Sequence, residues 1–365
     1  MKIYLDNIIF SHVKNGGVSN YWYELISYLE NQTNENIFFL ENGHNVYQNF
    51  HRTKLKFPED KIIQKNSDLI SRINKIKIHE NEKFIFHSSY YRTLSNNKFG
   101  IEVSTIHDFI HSYYSSFLKK KFHNYLKFNS LNNSKGIICI SENTFKDLKK
   151  FYKVKKDQKV EIIYNGVSND FYSIKSENTN QNIFFKRYNL QKKEYLLYIG
   201  GRTSYKNFNY VISMLNENKN LKLVIVGGGF LSKEELSLFN KDSLSRLTIM
   251  NSLENDELNF VYNNAKALLY PSSYEGFGIP IIEAMKAECP VIVLDTPISR
   301  EIASNGAIYL NNLTLNSFKD SLLKLENNQF ISEIKELGIE ISKKYSWEKC
   351  TKQTHEFYKN LYETY

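Results

Sequence analysis

Short apolar runs alternate with amphipathic stretches along the chain. Apolar runs bounded by turn residues read as strands, and strands separated by helical patterns imply parallel sheets covered by helices. The first series opens with a strand over Lys2–Phe10, a loop at Gly16-Gly17 and a helix over Ser19–Glu30. Further strands are predicted at Ile37–Leu40, Phe84–Ser88, Glu102–Ile106, Gly136–Ile140 and Val160–Tyr164, with helices over Ser112–Asn129 and Glu142–Phe151. Asn165-Gly166 marks a turn, and Ser173–Asn182 is polar without apolar periodicity. A domain boundary is placed there, dividing residues 1–175 from 176–345.

The second series runs through strands at Tyr195–Ile199, Leu221–Val226, Arg246–Met250, Ala267–Tyr270, Pro290–Leu294 and Ala307–Leu310. An amphipathic helix over Ser346–Tyr362 closes the chain, in a terminal segment 346–365. The expected fold is α/β, with two doubly wound, Rossmann-like domains about a central cleft. In open parallel sheets ligands bind beyond the carboxyl ends of the strands, so the residues at those ends carry the functional question.

Composition adds limits. The 365 residues are 41% apolar, 24% charged and 15% aromatic, which fits a globular protein with a sizeable core and excludes disorder as its main state. Cys139, Cys289 and Cys350 are odd in number and far apart, so neither a disulfide framework nor a zinc spacing follows. The start has no signal-peptide build, and no apolar run reaches the roughly 18 residues of a membrane span. A reduced, cytoplasmic protein is expected, with peripheral contact at the inner face of the cytoplasmic membrane as an option. Residues 1–180 hold 26 Lys+Arg against 18 Asp+Glu, a net of 26 − 18 = +8, whereas 181–365 hold 22 and 21, a net of +1. A basic half suits a nucleic acid, an anionic membrane or a phosphorylated substrate, or is simply a solvated face. No nucleic-acid recognition motif accompanies it.

The segment Tyr270–Glu288, YPSSYEGFGIPIIEAMKAE, is the most informative. Pro280 suits the first turn of a helix, Gly276 and Gly278 let backbone approach a ligand, and a helix start favours an anion. Glu275 and Glu283 add carboxylates for hydroxyl groups, a combination that suits a sugar on a phosphate; an acidic first turn complementing the helix dipole is the plainer reading of Glu283. The run E-G-F-G-I-P-I-I-E resembles the signature of family-4 glycosyltransferases, retaining enzymes of GT-B fold, and the resemblance extends over nearly the whole chain. It implies a terminal helix crossing back to the N-terminal domain. It assigns Glu275 to donor-sugar hydroxyls, Glu283 to the nucleotide ribose, and the backbone of Phe277, Gly278 and Ile279 to the sugar or diphosphate. Glu288 stands where the family has glycine.

Other strand ends agree. In Ile199–Asn207, IGGRTSYKN, Gly200-Gly201 allow a tight turn beside Arg202 and Lys206, cations suited to a departing diphosphate. The resemblance makes Arg202 and Lys206 its ligands, with Gly201 beside them. Gly16 and Gly17 in NGGVSNY match the family's N-terminal glycine loop, near the donor phosphate. His107 in TIHDF ends a strand, and the resemblance places it near the donor sugar. The resemblance also implies that the nucleoside packs near the triple glycine opened by Gly227, and that backbone at Asn251 and Leu253 in MNSL reads the base. Ser141 reads as a helix cap.

The resemblance therefore implies transfer of a sugar, with retention, from a nucleotide-sugar donor to a hydroxyl of a glycan acceptor. His107, Glu275, Arg202 and Lys206 form the expected catalytic set. No Asp-x-Asp motif supplies a divalent-metal site, so no metal or other cofactor is expected. The basic half and the Tyr/Phe/Lys-rich helix SYYSSFLKKKFHNYLKF point to a lipid-linked acceptor, as in bacterial O-antigen or capsule assembly, with a soluble acceptor as the plainer alternative. The alternatives are a non-catalytic nucleotide-sugar-binding protein and another GT-B enzyme, an epimerase or a glucan synthase.

Overall fold

The computed structural model describes residues 1–65, 73–95, 98–176, 184, 186–188, 190–251 and 253–365. It divides into two compact units, one of Met1–Gly166 with Ser346–Tyr365 and one of Val167–Tyr345.

The first unit carries a seven-stranded sheet in the order β3-β2-β1-β4-β5-β6-β7. Its strands are β1 (Lys2–Asp6), β2 (Asn36–Asn42), β3 (Ile62–Lys65), β4 (Phe84–Ser88), β5 (Gly100–Ile106), β6 (Gly136–Cys139) and β7 (Lys159–Ile162). All neighbours pair in parallel. The second unit repeats the plan in six parallel strands, ordered β10-β9-β8-β11-β12-β13. These are β8 (Tyr195–Ile199), β9 (Lys222–Val226), β10 (Leu247–Met250), β11 (Ala267–Tyr270), β12 (Val291–Leu294) and β13 (Ile308–Leu310). Each strand order reverses once, between β1 and β4 and between β8 and β11. Such reversals open a crevice beyond the carboxyl ends.

Several expectations are corrected. The strand expected over Lys2–Phe10 stops at Asp6, and Ile8–His12 is a short helix. Ile8, Ile9 and Phe10 are all buried, and an apolar run buried on every side has no period that separates strand from helix. The helix expected over Ser112–Asn129 is two, Ile110–Tyr114 and Phe117–Asn133, parted by the extended Ser115 and Ser116. The edge strand β3 has no counterpart in the sequence reading. The units divide after Gly166 rather than near 175. Phe171 is buried on the Tyr262 ring, and the Tyr172 and Ile174 amides donate to Asn259 Oδ1 (3.1 Å) and Asn263 Oδ1 (2.8 Å), all within the second unit.

The terminal helix Trp347–Thr364 belongs to the first unit, where Phe357, Tyr358 and Leu361 are fully buried. Each such side chain contributes about 1.5–3 kcal/mol. A Cβ on Gly136 would overlap the Leu361 and Phe357 side chains, so any larger residue there would force the helix packing on β6 to shift. A Cβ on Gly166 would likewise overlap the backbone of Ser346 and Trp347, within the same unit. Ser141 caps the helix Glu142–Phe151 in a reciprocal box with Thr144, its Oγ accepting from the Thr144 amide at 3.0 Å. Among the described residues, no helix is long and apolar enough to cross a membrane.

Candidate active site

The loops after β8 and β11 lie side by side at the strand-order reversal of the second unit. After β8 the chain turns at Gly200 (φ 111°), makes a 3-10 turn over Ser204–Lys206 and enters the helix Phe208–Glu217 through the left-handed Asn207 (φ 53°, ψ 39°). Asn tolerates that conformation better than most residues. Its Nδ2 donates to Pro271 O (2.8 Å) and Ser273 Oγ (2.7 Å), and the Ser273 amide donates to Tyr205 O (2.8 Å). These bonds stitch the two loops together.

They bring Lys206 and Glu275 into contact, with Nζ donating to Oε1 at 2.9 Å. The side chains are 16% and 13% exposed, sheltered yet still reachable. Burial pushes the Lys206 ammonium down, but the Glu275 carboxylate outweighs it and holds the pKa above its ordinary value. Lys206 is therefore a fixed positive charge. Gly201 has open space where a Cβ would stand, so packing does not account for the missing side chain.

Arg202 turns elsewhere. Its Nε donates to Glu235 Oε1 (2.7 Å), Nη1 to Gly227 O (3.2 Å), and Nη2 to Gly228 O (3.0 Å) and Phe230 O (2.8 Å). Gly227, Gly228 and Gly229 all have positive φ (83°, 75° and 73°), which wraps the loop around the guanidinium. A Cβ on Gly228 would lie 2.5 Å from Nη1. Arg202 thus clasps the glycine loop after β9, and this contact was not legible from the spacing of Arg202 and Lys206.

The helix Ile279–Lys286 starts at Gly278 (φ 101°) with Pro280 in its first turn. Glu283 points at Tyr262, whose hydroxyl donates to Oε2 at 2.8 Å. Burial pushes the Glu283 carboxyl up to about 7, and the Tyr262 hydrogen bond only partly opposes it. The Phe277 side chain is buried edge-on to Tyr345 (5.4 Å), which leaves only its backbone for a ligand; Ile279 is half-buried. At the helix end Glu288 adopts φ 52°, the conformation its family's glycine would favour, and Lys175 binds its carboxylate at 3.0 Å. Asn251 is exposed and Leu253 half-buried after β10; Ser252 between them lies outside the described residues.

In the first unit Gly16 (φ 153°) caps the helix Gly17–Gln32 and also faces open space. His107 follows β5 with the Tyr21 ring edge-on at 5.1 Å. Burial pushes its imidazole down to about 4; Asp108 opposes this and Lys127 adds to it. His107 is therefore neutral at pH 7, a hydrogen-bonding group rather than a cation. Beneath it runs a buried chain that sequence reasoning missed. Tyr21 Oη meets Thr105 Oγ1 (3.2 Å), Thr105 meets His87 Nε2 (3.0 Å), and His87 Nδ1 meets Tyr358 Oη (2.5 Å). Among the described residues, no group of three or more His, Cys, Asp or Glu is placed to hold a metal ion.

The family model for group 1 glycosyl transferases matches residues 180–359, and that for Glycosyltransferase Family 4 matches residues 15–171. The chain belongs to the family-4 glycosyltransferases. Among curated relatives of this family-4 chain is the O-antigen chain mannosyltransferase RfbU of Salmonella typhimurium, 29% identical over 226 residues. That match covers 61% of this chain and 60% of the relative, so the chain spans less than two thirds of that relative's length. Similar solved structures include the sucrose-phosphate synthase of Thermosynechococcus elongatus (TM-score 0.74, 15% identity, 100% of both chains). Another is Anabaena HepE in complex with UDP and glucose (TM-score 0.72, 12% identity, 97% and 98% of the chains). At these identities the likeness establishes the GT-B architecture.

Proposed function

We propose that the protein is a retaining glycosyltransferase that moves a sugar from a nucleoside-diphosphate sugar to a hydroxyl of a glycan acceptor. The observation that carries the reading is the Lys206–Glu275 pair at the reversal between β8 and β11, in a chain of this family. A donor placed there would set its diphosphate against Lys206 and its sugar hydroxyls against Glu275. As the bond from the anomeric carbon to phosphate oxygen breaks, its electron pair goes to the departing phosphate. The acceptor oxygen bonds the same carbon from the same face, and its proton passes to the departing phosphate. Lys206 and the amides at the start of the helix Ile279–Lys286 stabilise the growing charge. In this reading fixed protein charges take the part of a divalent ion. Glu283 receives the ribose; the role that the family resemblance gives neutral His107 is a hydrogen bond to a sugar hydroxyl.

The acceptor is proposed to be lipid-linked and met at the cytoplasmic membrane face, in O-antigen or capsule assembly. The support is the similarity to RfbU, an O-antigen chain mannosyltransferase, and the basic first half of the chain. The test is product formation from a panel of UDP-, GDP-, dTDP- and ADP-sugars with glycan acceptors, with and without chelator. One donor should give a glycan product with chelator present. Nucleotide binding without any product would leave a non-catalytic binding protein instead.

A further inference from the structure

The two helices after His107 expose an apolar face that no described residue of the first unit covers. Phe117, Leu118 and Tyr125 are 68%, 78% and 60% exposed, and Tyr113, Tyr114 and Phe122 are exposed beside them. The other exposed large apolar side chains among the described residues of this unit, Tyr47, Ile73 and Tyr365, are far away in sequence. Leu118, Phe122 and Tyr125 recur at i, i+4 and i+7, on one side of the helix Phe117–Asn133. Lys127, Ser130 and Leu131 are buried on the other.

The charged side chains carried by these two helices have one sign. No acidic residue occurs between Asp108 and Glu142. Lys119, Lys120 and Lys121 are exposed, with the Lys121 ammonium 4.4 Å from the centre of the Phe117 ring. From the next helix Lys150 Nζ bonds Tyr113 Oη at 3.1 Å. The face is held in place from beneath. The His111 and His123 rings stack at 3.6 Å, joining the two helices, and Tyr113 donates to the buried Asp147 at 2.5 Å. Lys127 reaches the Asp108 carbonyl.

We propose that this face docks on an anionic lipid bilayer. Protruding Phe and Leu enter the acyl boundary, Tyr rings sit at headgroup depth with their hydroxyls in water, and lysine stems lie along the apolar surface with ammonium groups on the phosphates. A second copy of the same face would set lysine against lysine, which disfavours self-association. At about 1.5 Å per residue, the exposed stretch Phe117–Tyr125 offers a contact roughly 12 Å long. The inference extends the lipid-linked acceptor reading but does not depend on the transfer reaction.

The test is co-sedimentation of the full chain with phosphatidylcholine vesicles, with and without phosphatidylglycerol. Binding is expected only with phosphatidylglycerol and should weaken with salt. Replacing all three lysines (Lys119→Gln, Lys120→Gln, Lys121→Gln) should weaken it about 100-fold, since each lysine near such a surface contributes about fivefold. A Phe117→Ser, Leu118→Ser variant should lose the binding that survives high salt. Both variants alter exposed side chains, so their unfolding curves should match wild type. Failure of wild type to bind anionic vesicles at low salt overturns the proposal, as does unchanged binding by both variants. Equal binding to soluble polyglutamate would replace the bilayer with an acidic protein. A failure here leaves nucleotide-sugar turnover unaffected, so the two readings fail separately.

Discussion

Lys206 and Glu275, 69 residues apart in sequence, meet at 2.9 Å where β8 and β11 end side by side. The contact is sheltered, so removing either partner strands a charge in poor solvent, and each has a separate expected role. Lys206→Ala should lower kcat by about 10²–10³-fold, the usual loss when one stabiliser of developing charge is removed. Lys206→Arg should not restore it, because the planar fork replaces a point charge.

Glu275→Ala should lower kcat far more than it weakens nucleotide binding. Its proposed partners are sugar hydroxyls, whereas the nucleotide is held elsewhere. Kinetics with the donor, set beside binding of the free nucleoside diphosphate, check this. Equal loss in both would move Glu275 to the nucleotide.

Glu283 makes stability and binding depend on pH in opposite directions. Its carboxyl rises from its ordinary 4.5 to about 7 in the fold, so the unfolded chain releases that proton first. Its contribution to stability is present below about pH 4.5 and is lost as pH rises towards 7. Glu283→Gln should therefore stabilise the protein above pH 7, on the order of 1–2 kcal/mol after allowance for its partial exposure. The same change should weaken nucleotide binding and flatten its rise between pH 6 and 8, because ribose hydroxyls donate best to the ionised carboxylate. Melting curves and nucleotide titrations across that range test both signs.

Gly228→Ala should act like loss of Arg202. The added methyl meets the guanidinium at 2.5 Å and stands at φ 75°, where a side chain costs about 1–2 kcal/mol. Arg202→Lys cannot serve three carbonyls and Glu235 at once, so it should lower the melting temperature nearly as far as Arg202→Ala. If Arg202→Lys kept full stability and lost only turnover, the clasp would have no structural part.

His107 should not give the reaction a titration near neutrality. Its imidazole is neutral above about pH 4, so activity assigned to it should stay flat from pH 6 to 8. His107→Gln, which can still hydrogen-bond, should retain more activity than His107→Ala. A pH–rate step near 6.5 that vanishes in His107→Gln would show a charged histidine instead.

Much of this was legible in the sequence, for identifiable reasons. Phe84–Ser88, Tyr195–Ile199 and Ala267–Tyr270 are strands at the expected bounds because polar or turn residues flank short apolar cores. Lys206 and Glu275 were legible as strand-end residues, and topology then placed them together. Ile62–Lys65 was not, since its apolar run is only Ile62 and Ile63 before Gln64 and Lys65. The clasp of Arg202 by Gly227–Phe230 was invisible because it depends on three consecutive positive φ angles. The chain from Tyr21 through Thr105 and His87 to Tyr358 includes one bond, His87 to Tyr358, between residues 271 positions apart, and no local pattern announces it.

The most direct measurement is transfer from a panel of nucleotide sugars to a glycan acceptor, with the product's anomeric configuration read by NMR. The account predicts one productive donor, retained configuration, and at least about 100-fold loss in Lys206→Ala and Glu275→Ala proteins that still fold. Inverted product, or full turnover in both variants, would contradict it.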